Sequence, residues 1–234
     1  MDGVARVISR ILFRVEAQGL ENIPTEGPLI LATNHVSAFE LPPLRKLLGK
    51  LDARTFAKSE SWDNKFLAWV LDQWESIPIR RGESDMAALR TALQTLKDGG
   101  MLGIMPEGTR SGDGKLGRGH VGITVIALKS GAPIVPLAFW GVEKTRENIK
   151  QLRRTDFHFR AGKPFYLDLP EGKPTREDRQ RMADDVMLRI AEMMPEEYRG
   201  VYQSGRKSSS GPAQEADPLR EAEPHTAEHG GPSG

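Results

Sequence analysis

One histidine in this chain lies in a setting that suits proton transfer. His35 is followed by Val36 and Ser37, and Glu40 comes five positions after it. Histidine titrates closest to neutral pH, so its ring can accept a proton under physiological conditions. A carboxylate that accepts the proton on one ring nitrogen leaves the other nitrogen as a base. The pair therefore predicts general-base catalysis by His35, with Glu40 orienting the ring.

Glu40 also has a purely structural interpretation. Ser37 and Glu40 have the spacing of a capping box, in which the glutamate bonds back to the amide of the capping serine. Residues five apart do not stack on one helix face, so His35 and Glu40 meet only if the chain turns between them. The residue types alone leave both interpretations open.

The sequence offers no protein nucleophile. It has no cysteine and no Gly-x-Ser-x-Gly segment. A base without a nucleophile favours direct transfer between two substrates. No cofactor or metal is indicated either, since His225 and His229 are four apart in a segment where no helix is expected.

A second polar segment, residues 106–111, reads Pro-Glu-Gly-Thr-Arg-Ser. Arg110 can bind phosphate through two parallel hydrogen bonds, and the hydroxyl of Thr109 adds a donor. Gly108 permits a positive φ or a close backbone approach. A surface turn with one solvated arginine is the alternative.

Other cations follow predicted strands. Lys58 comes after one apolar run, and Arg80 and Arg81 come after the next. In a parallel sheet these strand ends share the edge at which His35 lies. Several cations at one edge favour an anionic ligand, although each of them singly is typical of a solvated surface.

Apolar runs alternate with amphipathic segments along most of the chain. Strands are predicted at 28–34, 54–57, 76–80, 101–105, 134–140, 156–161 and 165–169, and helices at 37–49, 62–74, 84–97, 119–130 and 176–193. The alternation predicts an α/β fold with a central, mostly parallel sheet flanked by helices. His35 then follows the C-terminal end of a strand, where sites collect in open α/β sheets.

The two ends of the chain differ from its middle. Residues 4–17 have apolar side chains at helical spacing and arginines on a neighbouring face, which is typical of an amphipathic helix at a membrane interface or on the core. Residues 203–234 have few apolar side chains and are predicted to be disordered. We expect three parts: an N-terminal helix at 1–17, a globular domain at 18–202 and a tail at 203–234.

Composition limits the partners. A chain of 234 residues that is 38% hydrophobic suits one globular domain. The formal charge of +1 gives no overall attraction to nucleic acid. The apolar runs are shorter than the roughly 18 residues of a spanning helix, so we expect a soluble or peripheral protein.

The ordered motifs resemble the PlsC-type glycerolipid acyltransferase family. Its members carry Asn-His-x-Ser with an acidic residue five positions after the histidine, then an Ile-Pro-x-x-Arg segment, and then a Pro-Glu-Gly-Thr-Arg-Ser loop. The matching segments here are 34–40, 77–81 preceded by Lys58, 106–111, 116–119 and 135–136, in that order within residues 18–145.

The resemblance implies an activity and a location. It implies that His35 takes the proton from a hydroxyl of a lysophospholipid, above all lysophosphatidate, whose oxygen attacks the thioester of acyl-CoA or acyl carrier protein. Glu40 then stabilises the imidazolium. Because the acceptor is a lipid, the protein is expected to lie on the cytoplasmic side of the cell membrane as a peripheral, monotopic protein, with helix 4–17 at the membrane surface.

The resemblance also assigns residues to the substrate. The residues implied to bind it are Lys58, Arg81, Glu107, Gly108, Thr109 and Arg110. The cations are expected to hold the acceptor phosphate, and Glu107 to position Arg110 or an acceptor hydroxyl.

One position departs from the family, in which the acidic partner is usually aspartate. Glu40 is longer by one methylene, roughly 1.5 Å, and a misplacement of about 1 Å can cost about 10²-fold in rate. This motivates two alternatives: the same chemistry on another lysolipid or on an amino-lipid or sugar-lipid acceptor, or a catalytically weak lipid-binding homologue.

Overall fold

The computed structural model describes residues 2–49, 51, 53–72, 74–80, 85–168 and 172–203. These residues form a seven-stranded sheet with helices on both faces. The strands are β1 (Phe13–Gln18), β2 (Leu29–Thr33), β3 (Ala53–Lys58), β4 (Ile77–Ile79), β5 (Met101–Ile104), β6 (Ile134–Trp140) and β7 (Thr155–Ala161). The helices are α1 (Asp2–Leu12), α2 (Leu41–Leu48), α3 (Lys65–Asp72), α4 (Met86–Lys97), α5 (Gly122–Ser130), α6 (Thr145–Lys150) and α7 (Arg176–Glu192).

The sheet is mostly parallel, as predicted. Its strand order is β1-β7-β6-β2-β5-β3-β4, in which the neighbours from β6 to β4 are parallel. β7 is antiparallel to β6, and β1 is parallel to β7. Because β2, β5 and β3 run the same way, the residues that follow them meet at one edge of the sheet. His35 and the segment 106–111 both lie at that edge.

The central strand β2 is buried on both faces of the sheet. All five of its residues are buried, which is why it is a continuous apolar run. Ile30 and Ala32 pack in the core on the side of α4, α5 and α7. Leu29 and Leu31 pack on the opposite side, with α2. This packing fixes the strand whose end carries the histidine.

The N-terminal helix is shorter than predicted. α1 ends at Leu12, and the following residues form β1 instead of the last turn of the predicted helix 4–17. From Phe13 onward, more buried and more exposed side chains alternate, which is the period of a strand. Val15 also continues the helical spacing of Ile11 and Leu12, so the pattern predicts a helix that extends into β1.

Two further differences concern the second half of the chain. The predicted strand 165–169 is wrong over its described part, because Phe165 makes one isolated bridge to Ile134 and residues 166–168 are not strand. Its apolar character reflects burial, since Phe165 is 1% exposed. Helix α6 was not predicted, because six mostly polar residues give little helical periodicity.

Some predictions fall on residues that the structure does not describe. The predicted tail lies outside the described residues except for Gln203.

None of the helices in the described part of the chain is both long enough and apolar enough to cross a membrane.

Candidate active site

His35 lies two residues beyond β2, at the C-terminal edge of the sheet. Asn34, between β2 and His35, is buried, and both the nitrogen and the oxygen of its side-chain amide form hydrogen bonds. Its nitrogen donates to the Phe139 carbonyl at 2.8 Å, and its oxygen accepts from the Phe139 N–H at 3.0 Å. These two bonds extend the contact between β2 and β6 past the end of β2. They fix the direction in which the backbone reaches His35.

The segment 106–111 holds the backbone of His35. The His35 N–H donates to Glu107 Oε1 at 3.1 Å, and the His35 carbonyl accepts from the Ser111 N–H at 2.9 Å. The next carbonyl, that of Val36, accepts from the Gly112 N–H at 3.2 Å. The structure therefore brings together the two polar segments of the sequence.

The His35 ring bonds through Nδ1 to Glu40 Oε1. The Glu40 side chain is fully buried, whereas that of His35 is 17% exposed. With Nδ1 held by the carboxylate, Nε2 is the ring nitrogen left to act as a base. The contact has the geometry that the orienting role requires.

Glu40 is also the capping residue of the alternative interpretation. Its Oε2 accepts from the amides of Val36 and Ser37, both at 2.9 Å. Ser37 Oγ accepts from the Phe39 N–H at 3.3 Å, which completes the capping box. The capped element is a short 3-10 turn, Ala38–Glu40, and α2 begins only after it. This turn points the Glu40 side chain back at His35, so the capping bonds and the contact with the His35 ring occur together.

Glu107 is a second buried carboxylate and is 4% exposed. Its Oε1 binds the His35 amide, and its Oε2 accepts from the Gly117 N–H at 2.8 Å. Burial raises the pKa of Glu107 above the usual glutamate value, against the opposing effect of these two amide hydrogen bonds. The carboxylate was expected to position Arg110 or an acceptor hydroxyl. Within the described residues it makes no ion pair with Arg110 and instead positions the backbone of His35.

Residues 108–110 form an exposed loop tip beside His35. Gly108 has a φ of 63°, the left-handed conformation that favours glycine, and a Cβ there would lie 3.3 Å from the ring of His120. Among the described residues, no protein group binds the guanidinium of Arg110. The loop therefore presents an exposed cation one residue before Ser111, whose N–H binds the His35 carbonyl.

Lys58 lies at the same edge of the sheet. In the strand registers, Thr55 and Leu31 both pair with Gly103. Lys58 and Asn34 each follow three residues later, so both lie at the C-terminal edge of the sheet, with β5 between their two strands. Lys58 is exposed. Arg81, the other predicted phosphate ligand, lies outside the described residues.

Two residues near the site were not predicted. Gly117 supplies the amide that binds Glu107, and His120 lies against Gly108. The His120 N–H donates to the Pro106 carbonyl at 2.9 Å, which closes the loop on itself. The signal for Gly117 was its place in the glycine-containing segment 116–119, whereas His120 had none.

Comparison with known proteins identifies related sequences. A sequence model of the Acyltransferase family matches residues 14–140. The 1-acyl-sn-glycerol-3-phosphate acyltransferase of Bacillus subtilis is 27% identical over 189 residues, which are 80% of this chain and 92% of that protein. The lyso-ornithine lipid O-acyltransferase of Pseudomonas aeruginosa is 31% identical over 137 residues, 58% of this chain and 50% of that protein. The chain spans less than half the length of the chloroplast proteins that it matches.

A solved structure has the same fold. The crystal structure of the 1-acyl-sn-glycerophosphate acyltransferase PlsC from Thermotoga maritima superposes with a TM-score of 0.62 at 26% identity. The likeness covers 82% of this chain and 77% of that one.

Proposed function

The chain belongs to the Acyltransferase family, and on that premise we propose that it transfers a fatty acyl group to the free hydroxyl of lysophosphatidate, giving phosphatidate. The acyl donor is the thioester of acyl-CoA or acyl carrier protein. One observation carries the proposal: the ring of His35 is held by the buried carboxylate of Glu40, and its backbone is bound by the loop that carries the exposed Arg110.

The proposed reaction is a direct transfer. His35 Nε2 takes the proton of the acceptor hydroxyl while the acceptor oxygen attacks the thioester carbonyl carbon. Glu40 stabilises the imidazolium that forms. The new C–O bond replaces the C–S bond, and the imidazolium returns its proton to the leaving thiolate. The base is regenerated without an acyl-enzyme intermediate.

The proposed phosphate site lies on the loop tip. Arg110 can bind two phosphate oxygens at once, and Thr109 adds a hydroxyl donor. Lys58 adds a positive charge at the same sheet edge. Gly108 lets the acceptor approach the backbone, and Arg81 is a further proposed ligand. Glu107 is proposed to act indirectly, by holding the backbone N–H of His35.

The proposed location is the cytoplasmic surface of the cell membrane. The apolar residues exposed on α1 are Val4, Val7, Ile8 and Ile11, at 65%, 57%, 37% and 62%. They form one stripe along the helix, whereas Ser9, on another face, is 0% exposed. Arg10 is exposed beside the stripe and suits anionic lipid headgroups. The stripe thus points away from the core, which favours the membrane-interface interpretation.

A turnover assay tests the activity. Purified protein should release free CoA from acyl-CoA when lysophosphatidate is supplied. His35→Ala should lower that rate by about 10²–10⁴, because the base is lost. The matched control is His158→Ala, which removes another histidine that bonds a glutamate, Glu16, at 3.1 Å. Full activity in His35→Ala would overturn the assignment.

A second candidate keeps the chemistry and changes the acceptor. It is favoured by the glutamate at position 40 and by the 31% identity to a lyso-ornithine lipid O-acyltransferase. A panel of lysolipid, amino-lipid and sugar-lipid acceptors decides between the candidates. Arg110→Ala should reduce turnover of phosphate acceptors far more than that of neutral ones, and an equal loss would count against its phosphate role. Liposome binding without turnover of any acceptor, unrestored by Glu40→Asp, would instead indicate a lipid-binding homologue.

A further inference from the structure

A C-terminal segment, residues 195–203, is hydrogen-bonded to the loop that follows Arg110. The Leu116 N–H donates to the Tyr198 carbonyl at 2.9 Å, and the Leu116 carbonyl accepts from the Val201 N–H at 3.2 Å. Gly200 has a φ of 51°, and a Cβ there would lie 2.0 Å from the Leu116 carbonyl oxygen. Only glycine allows so close an approach at this position.

Tyr202 binds the same loop at Gly119, three residues after Leu116. The Gly119 N–H donates to the Tyr202 hydroxyl at 3.0 Å, across 83 positions of sequence. The hydroxyl donates in turn to Asp184 Oδ1 at 3.0 Å, on α7. The Gln180 amide nitrogen, also on α7, binds both the Gly119 carbonyl and Asp184 Oδ1 at 3.0 Å. Burial raises the pKa of Tyr202 to about 12, so the hydroxyl keeps its proton at neutral pH.

Gly117 lies between Leu116 and Gly119, the two residues that the C-terminal segment binds. Its N–H donates to Glu107 Oε2 at 2.8 Å, and the other oxygen of that carboxylate holds the His35 N–H at 3.1 Å. A Cβ at Gly117 would lie 3.2 Å from Glu107 Oε2. A continuous series of contacts therefore runs from Tyr202, through residues 117–119 and Glu107, to the backbone of the candidate base.

We propose that Tyr202 is a positioning residue for His35. By holding Gly119, it keeps the Gly117 amide against Glu107, and Glu107 then keeps the His35 ring in line with the acceptor hydroxyl. Tyr202 lies beyond residues 14–140, which match the family. The inference rests on the proposed function for its catalytic meaning, although the contacts themselves do not depend on that function.

The kinetic test is Tyr202→Phe in the full chain. The variant keeps the ring and removes the one hydroxyl that binds both Gly119 and Asp184. We expect kcat to fall about 10-fold, because small displacements of a base reduce rate steeply. The KM values for lysophosphatidate and acyl-CoA should stay within about two-fold, because Tyr202 touches neither substrate. A kcat equal to that of the wild type would overturn the inference.

Two controls separate positioning from general loosening of the fold. Tyr198→Phe removes a hydroxyl that donates to Glu143 at 2.9 Å, but it keeps the carbonyl that binds Leu116. It should leave kcat unchanged. Asp184→Asn keeps an acceptor for Tyr202 and should retain activity, whereas Asp184→Ala should reproduce the loss. Equal losses in Asp184→Asn and Asp184→Ala would contradict the role of this contact.

Amide hydrogen exchange tests the contacts without relying on turnover. In Tyr202→Phe the amides of Gly117 and His35 should exchange about 5-fold faster or more, while that of Leu31 in β2 stays protected. Unchanged protection of Gly117 and His35 would overturn the inference even in an active enzyme. If the wild type turns over no acceptor, the proposed function fails, and the exchange rates still decide whether Tyr202 holds His35.

Discussion

The carboxylate of Glu40 accepts three hydrogen bonds while fully buried. One comes from the ring of His35, and two come from the amides of Val36 and Ser37. Each oxygen therefore has a donor, and no solvent is available to replace one that is lost. A change at this residue disturbs the ring and the turn together.

Glu40→Gln tests this double role. The amide has the same shape but only one acceptor oxygen, so at least one buried donor loses its partner. We expect kcat to fall by about 10²–10⁴, because the ring loses its fixed tautomer. The free energy of unfolding should fall by about 1–3 kcal/mol. Steady-state kinetics and urea denaturation measure the two effects.

The control for this variant is Glu16→Gln. Glu16 also bonds a histidine, His158, but its side chain is 62% exposed and water can replace the lost contact. Activity and stability should both stay close to those of the wild type. If the two variants behaved alike, Glu40 would have no special part in orienting His35.

Glu107 predicts a pH dependence with opposite effects on stability and activity. Burial raises the folded-state pKa of this carboxyl above its unfolded value. Its protonation therefore stabilises the fold: the contribution is complete below the unfolded pKa and is lost as pH rises through the folded pKa. A protonated carboxyl binds the amides of His35 and Gly117 less well. Turnover should therefore fall, and stability rise, as pH drops through the raised pKa.

The measurement compares the wild type with Glu107→Gln over a range of acidic pH. Differences in kcat and in the free energy of unfolding isolate the titration of Glu107 from that of other groups. Both differences should change with pH. A pH-independent difference would mean that Glu107 does not titrate in this range.

Local spacing predicted part of the site. The contact between His35 and Glu40 and the exposure of Arg110 each depend on a short segment. The turn-forming residues of such a segment can be recognised in the sequence. The role of Glu107 is not, because one of its partners is 72 positions away and the other depends on how a loop folds back. Long-range contacts to backbone amides have no residue-type signature.

At the scale of an element, we predict that helix α1 binds the membrane surface. Ile11→Glu places a charge in its exposed apolar stripe. Binding to anionic lipid vesicles should weaken by about 10-fold or more, because one apolar side chain no longer enters the interface. Sedimentation with vesicles measures this, and turnover of a water-soluble short-chain acceptor should stay unchanged.

Leu152→Glu is the matched control. Leu152 is 97% exposed in the turn between α6 and β7, outside the apolar stripe of α1. A charge there should leave vesicle binding unchanged. The role of the stripe would be contradicted if both variants bound equally well.

Elements with one clear period were predicted best. The strands and helices around the site agree with the structure, because β2, β5 and β6 are continuous apolar runs. The boundary between α1 and β1 differs from the prediction, because Val15 of β1 fits both the helical and the strand period. The run beginning at Phe165 was misassigned, because a buried loop and a buried strand have the same composition.

Three aromatic rings join the far strands of the sheet to the site. Phe13 of β1 meets Phe157 of β7 edge to face at 6.1 Å, and Phe157 stacks on Phe139 of β6 at 5.6 Å. The backbone of Phe139 holds Asn34, next to the candidate base. At the scale of the whole molecule, these rings connect core packing to the backbone that precedes His35.

Phe157→Ala should therefore lower the free energy of unfolding. Phe157 is 0% exposed, and its removal should cost about 3–5 kcal/mol in the free energy of unfolding, measured by urea denaturation. Phe39→Ala is the control, since Phe39 is 37% exposed and should cost less than about 1 kcal/mol. Similar losses in the two variants would contradict the contribution of the buried Phe157 ring to stability.

The pairing of β1 with β7 also sets an order of events during protein synthesis. Phe13 pairs with Thr155, so the edge strand has no partner until 142 further residues have been made. At roughly 5–20 residues per second, that interval lasts about 7–28 s on the ribosome. Throughout it, the amphipathic helix just ahead of β1 is already made while the sheet that anchors it is incomplete. The N-terminal helix of a nascent chain is therefore complete before the sheet edge that carries His35 has formed.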